Sequence, residues 1–162
     1  MSSAVKPELI ALRPFCGRVD WIGIADTKRG PMENMPSVHV VPGSGIVGEY
    51  HATSGKPTKR EVTLIQSEYL PVIASLLGED RVEPAALRRN MAVSGINLAS
   101  IRKSRFVIGD AILEGTGDCV PCKRMEETLG TGGYEAMIAH GGITAVVIQE
   151  GTISIGDEIR RD

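Results

Sequence analysis

Ile143-Thr144-Ala145-Val146-Val147-Ile148-Gln149, followed by Glu150-Gly151 and Thr152-Ile153-Ser154-Ile155, is the most β-prone stretch of the chain. β-Branched residues at this density favour an extended, half-buried backbone, and the break at Glu150-Gly151 reads as a hairpin turn. Gly156-Asp157 then turns the chain toward Glu158-Ile159. Upstream, Arg105–Ile108 and Ala111–Glu114 are two more extended pieces about Gly109-Asp110. Asn90–Val93, Arg60–Gln66, Ser37–Val41 and the alternating Gly17–Ile24 read the same way. Many short strands with few helices predict a mainly β protein, an antiparallel β-barrel with several short peripheral helices. A parallel doubly wound sheet would need a helix after nearly every strand, and the sequence supplies too few.

The helical signals are short. Ser67 reads as the N-cap of a helix from Glu68 to Leu77, with Pro71 in its first turn and Gly78 as its stop. Glu83–Arg89 and Tyr134–Ala139 are shorter candidates, the second ended by His140-Gly141-Gly142. Asp26–Pro36 reads as a loop, Gly95-Ile96-Asn97 as a turn, and Met1–Leu12 as a polar start leading to a short strand. We divide the chain into a lead-in segment, residues 1–16, and a single domain, residues 17–162, since 162 residues suffice for one core.

Composition narrows the function. A net charge of -2 argues against nonspecific nucleic-acid binding, and no apolar run is long enough for a membrane span. The N-terminus has no signal-peptide pattern, and three cysteines make a purely structural disulfide set unlikely, so we expect a cytoplasmic protein with free thiols. Nineteen glycines point to many tight turns.

The chemistry concentrates in Gly115-Thr116-Gly117-Asp118-Cys119-Val120-Pro121-Cys122-Lys123-Arg124. Cys122, Met125 and Leu129 fall on one helical face, which places Cys122 in a first turn. Helix-end N–H groups and the neighbouring bases there favour a thiolate. The bland alternative is a buried thiol acting as a small apolar residue. Cys119 and Cys122 form a C-x-x-C pair. A zinc site would need two further ligands, with only Cys16 and three histidines to supply them, and a thioredoxin-type pair would need a βαβ setting. Gly43-Ser44-Gly45-Ile46-Val47-Gly48 matches a dinucleotide fingerprint in letters, but no helical pattern follows it, so a glycine-rich turn is the better reading. His51 is a candidate general acid or base or simply a hydrogen-bonded loop residue; His39 reads as a half-buried strand residue and His140 as a helix-end cap.

The order of motifs is more specific than any one of them. Gly45–His51, Arg60–Leu64, Leu87-Arg88-Arg89-Asn90, Phe106–Ala111, Cys119–Cys122 and Gly151–Asp157 follow one another in a series that resembles the MOSC domain. That family takes its name from the C-terminal domain of molybdenum-cofactor sulfurases and includes small stand-alone bacterial proteins. The resemblance covers roughly Gly17 to Ile159. One departure is visible, since Gly48-Glu49-Tyr50-His51 stands where the family often has a Gly-Asp-x-His-like turn.

The resemblance implies a barrel-like fold and a cysteine, here Cys122, that carries sulfur or ligates molybdenum. In the metal case the molybdenum cofactor is held by the Cys122 thiolate, with Arg60, Arg88 and Lys123 near its phosphate. Arg88 is preferred to Arg89 because the family pattern reads Arg-x-Asn, and Asn90 is then a polar contact or a turn stabiliser. The implied reaction is reduction of N-hydroxylated or related compounds, with electrons from a separate donor protein. The alternative is a sulfur carrier that holds a persulfide on Cys122 and exchanges it with a donor or acceptor protein. No pyridoxal-phosphate lysine is recognisable. A ligand-binding barrel with an inert Cys122 is the third reading.

Overall fold

The computed structural model describes residues 6–10, 15–53 and 58–162. Seven strands close a barrel. β1 (Cys16–Ile24) pairs with β6 (Met91–Ser94), and β6 with β5 (Val62–Gln66). The circuit continues through β9 (Ile143–Gln149), β8 (Ala111–Asp118), β7 (Arg105–Ile108) and β11 (Glu158–Arg161). The pairing of Gly17 with Ile159 brings β11 back to β1. All of these pairs are antiparallel except β5 with β6, whose connection runs through a helix. A two-residue β2 (Glu33–Asn34) extends the end of β1. A separate small sheet joins β3 (Ser37–Val41) to both β4 (Gly45–Ile46) and β10 (Gly151–Ser154).

Residue pattern explains which faces are buried. On β8 and β9 the inward set Ala111, Leu113, Ile143, Ala145 and Val147 is buried while Ile112, Thr144 and Val146 are only half-buried, the period-two signature of a barrel wall. β5 differs: all five residues are buried. Its inner residues Val62 and Leu64 face the barrel, whereas Ile65 joins a second cluster with Ile73, Leu87, Met125 and Met137. A helical layer therefore covers the outside of β5 and β6. It consists of α2 (Tyr69–Leu77), a 3-10 turn Pro84–Leu87, α4 (Lys123–Leu129) and α5 (Gly133–Met137). Two further single helical turns, α1 (Pro7–Ile10) and α3 (Leu98–Ile101), lie outside this layer.

Several local expectations change. β9 and β10 do not form a hairpin. At Gly151 the chain passes so close to the β7–β8 turn that a Cβ there would stand 2.6 Å from the backbone of Asp110, so the two runs diverge and β10 pairs with β3 instead. Ser67 does not cap α2. Its hydroxyl donates to Asp20 at 2.7 Å, and Glu68 stands at the cap position. Pro7–Ile10 is a helical turn rather than a lead-in strand; the rest of that expected strand lies outside the described residues. Asn97 ends its turn by accepting the Ala99 N–H and starting α3. β8 runs on to Asp118, so the front of the cysteine stretch is strand, paired to Ala145, Thr144 and Ile143.

Candidate functional site

Four segments meet at a cavity of about 200 Å³: Lys28–Met32, Glu49–His51, Arg88–Asn90 and Cys122–Met125, with Arg60 and Thr63 beside them. Packing fixes the cysteine segment. Met125 is 1% exposed in the outer cluster, a burial that contributes roughly 1.5–3 kcal/mol and anchors α4. Cys122 is the residue just before the helix, extended rather than in its first turn, and its side chain makes no capping hydrogen bond. The thiol is exposed and lines the cavity. Cys119 is buried, its N–H donating to the Gly142 carbonyl at 2.9 Å. Cys16 is exposed at the start of β1, and a hydrogen bond from its thiol to the Glu158 carboxylate is the main influence that pushes its pKa up.

The bases are the dominant electrostatic feature. Lys28, Arg29, Arg60, Arg88, Arg89 and Arg124 all line the cavity, against the one carboxylate Glu49. None of the six takes part in an ion pair among the described residues. Arg89 is 2% exposed and donates to three carbonyls: Gly141 at 2.8 Å, Leu87 at 3.0 Å and Cys119 at 3.4 Å. It ties the cysteine loop to its surroundings. Burial pulls its guanidinium pKa down, and the nearby Arg60 adds to this, while the Cys119 and Cys122 sulfurs oppose it. Arg88 sits in the left-handed region at φ 55° and donates to the Gly30 carbonyl at 2.8 Å. Burial, then the Arg124 charge, lower its pKa. Arg124 donates through Nη2 to the Arg29 carbonyl at 3.2 Å, whereas its Nε is buried with no hydrogen-bond partner.

Glu49 and His51 form the acid–base part of the wall. Glu49 is 3% exposed, and its Oε1 meets His51 Nδ1 at 3.0 Å. Its Oε2 accepts the Ala25 N–H at 2.9 Å and lies 3.5 Å from Asn90 Nδ2. The His51 ring lies 3.9 Å from Tyr50 and its side chain is 49% exposed. Asn90 Oδ1 accepts from both the N–H and the hydroxyl of Thr63, and Nδ2 also donates to the Gly23 carbonyl.

Of the residues singled out from sequence, the fold brings Cys122, His51, Arg60, Arg88 and Asn90 to one cavity. Lys123 is exposed and is not among the residues lining it; the helix turn that aims Arg124 inward turns Lys123 away. The cavity also takes in Glu49, Arg89, Arg124, Lys28 and Arg29, none of which sequence reasoning singles out as a site residue. Arg89 and Arg124 are direct neighbours of residues it chose, and only the backbone direction separates them. His140 caps α5 through Nδ1 and the Ala136 carbonyl, 3.1 Å apart. His39 is exposed, its Nε2 3.0 Å from Glu150. Among the described residues no three His, Cys, Asp or Glu side chains gather as a metal site, and no helix is long and apolar enough to cross a membrane.

With this geometry in view, the sequence matches the MOSC domain over residues 37–160. The chain belongs to the MOSC domain family. The YuaD protein from Bacillus subtilis has a similar crystal structure, with a TM-score of 0.78 at 24% identity, covering 91% of this chain and 96% of that one. YiiM from Geobacillus stearothermophilus gives 0.71 at 15% identity, covering 90% of this chain and 75% of its own. YiiM from Escherichia coli gives 0.66 at 15%, covering 93% and 70%. At these identities the likeness is one of fold. No curated protein matches the chain.

Proposed function

We propose that this MOSC domain binds the molybdenum cofactor, with the Cys122 thiolate as a metal ligand. The carrying observation is that an exposed cysteine shares one cavity with six bases, one of which keeps a buried Nε without a partner. The donor set suits that group. A soft thiolate is an acceptable ligand for such a metal, and guanidinium forks match the oxygens of a pterin phosphate. Arg88, Arg124 and Arg60 are the residues that would take the phosphate, Arg124 replacing Lys123. Arg89 has three carbonyls to serve and acts by holding the loop that presents Cys122. When bound, the cofactor would supply the redox centre for reducing N-hydroxylated or related small molecules, with electrons brought by a separate donor protein. The protein's share is to bind the anion, present one thiolate and supply a titratable ring at His51.

A second reading has support in the exposure of Cys122, which a partner protein could reach: a persulfide held there and passed to an acceptor. One experiment separates the two. Wild type and Cys122→Ser are purified from a host that makes molybdenum cofactor, and metal, pterin and cyanide-releasable sulfur are measured. Molybdenum and pterin equimolar with wild-type chain, with the molybdenum lost in Cys122→Ser, is the expected result. Molybdenum retained by the variant, or none in wild type after incubation with purified cofactor, overturns the proposal. Releasable sulfur on Cys122 without metal establishes the carrier.

A further inference from the structure

Glu49 is a buried carboxylate beside a half-exposed histidine, and its two oxygens have different tasks. Oε2 is fixed as an acceptor, because the Ala25 N–H at 2.9 Å can only donate to it. The Asn90 amide reinforces this. Its oxygen must face Thr63, whose backbone N–H donates at 3.0 Å, so its Nδ2 side faces the Gly23 carbonyl and Glu49. Oε1 is then the oxygen presented to His51 Nδ1 at 3.0 Å. A carboxylate can only accept there, so Nδ1 must carry the proton.

We infer that Glu49 is a positioning residue that locks neutral His51 as the Nδ1–H tautomer, leaving the lone pair on Nε2 as a proton acceptor in the cavity that holds Cys122. The group it would serve is a weakly acidic S–H or O–H of a bound ligand. The proton moves to Nε2, the electron pair stays on sulfur or oxygen, and the resulting imidazolium is paired with the Glu49 carboxylate. The three side chains Asn90, Glu49 and His51 form one hydrogen-bonded chain that ends at the cavity wall.

The tautomer is a property of the protein without any cofactor, so it can stand if molybdenum fails to bind, and fail if molybdenum does bind. The test uses protein labelled with 15N-histidine and long-range 1H–15N correlation at a pH where the rings are neutral. His51→Gln identifies the His51 signals among the three histidines. The expected wild-type pattern is protonated Nδ1 and bare Nε2. Glu49→Gln should reverse it. The Ala25 N–H and Asn90 amide still require an oxygen at the Oε2 position, so the glutamine NH2 faces His51 and donates to Nδ1, moving the ring proton to Nε2. A wild-type ring protonated at Nε2 overturns the inference, as does a folded Glu49→Gln protein with an unchanged tautomer. If Glu49→Gln does not fold, the wild-type pattern alone decides.

Discussion

Arg89 offers a sharp test of how the cysteine loop is held. Its guanidinium is almost fully buried and reaches Gly141, Leu87 and Cys119 carbonyls, the first two at 3.0 Å or less. Arg89→Met keeps the bulk and removes the donors. Orphaning a buried acceptor costs about 1–3 kcal/mol, and two are orphaned at good distance, so the gross loss is about 2–6 kcal/mol. Freeing the fold from a desolvated cation offsets part of it. A net loss near 3 kcal/mol is expected, which lowers Tm by roughly 6–12 °C for a chain of this size. Arg89→Lys decides the cause. It keeps the charge beside the two cysteines but cannot form the fork, and it leaves an ammonium buried with too few partners. The lysine variant should therefore be no more stable than the methionine one. Urea unfolding with an unchanged slope gives the free energies, and reaction of Cys119 with a thiol reagent should rise in both variants as the loop loosens. An Arg89→Lys protein within about 0.5 kcal/mol of wild type, a margin usual for neutral surface changes, would refute the carbonyl-fork argument.

Two further outcomes follow from the same region. Glu126 accepts the Tyr134 and Gly132 N–H groups at 3.0 and 3.1 Å, and these backbone bonds, with that of Gly133, hold its pKa below the usual carboxylate range despite a small opposing effect of burial. A depressed folded pKa means the stabilisation is present above the unfolded value and fades as pH falls through the folded one. Glu126→Gln should thus be less stable than wild type at neutral pH, with the gap closing below the ordinary carboxylate range; a gap constant across an acid titration followed by circular dichroism contradicts this. Gly142 has φ 85°, and a Cβ there would collide with the Leu64 carbonyl. Gly142→Ala should lose at least about 2 kcal/mol in urea unfolding, from strain and forced displacement together, and a loss under about 1 kcal/mol argues that β5 yields easily.

How much of this was legible in the sequence depends on the kind of signal. The barrel strands were legible because short runs rich in β-branched and other apolar residues favour a half-buried extended backbone, as in Arg105–Ile108 and Val62–Gln66. The partner of a strand was not. Glu150-Gly151 has the local chemistry of a hairpin, yet Gly151 is there because the backbone of Asp110 passes against it, a contact with no local trace. Residue type and motif order single out Cys122, His51, Arg60, Arg88 and Asn90, and the fold does bring these five to one cavity. The inward turn of Arg124 rather than Lys123 was not legible, because it is set by burial of Met125 one residue later. Ser67 failed as a cap for a similar reason: Asp20, 47 residues away in sequence, takes its hydroxyl.

The cavity also gathers features that each cost folding energy. Among the described residues three non-glycine residues have positive φ, and two of them, Arg29 at 63° and Arg88 at 55°, line it; a left-handed backbone costs an L-residue about 1–2 kcal/mol. The Arg124 Nε is a buried donor without a partner, worth about 1–3 kcal/mol. Arg88 and Arg124 lie close enough for one charge to depress the other's pKa. A chain with net charge -2 has carboxylates enough to neutralise these bases, and it spends them elsewhere: Glu114 on Arg105, Asp118 on Arg102, Asp20 on Arg18. An anion with several oxygens would give the orphan donor a partner and offset the like-charge crowding at that wall.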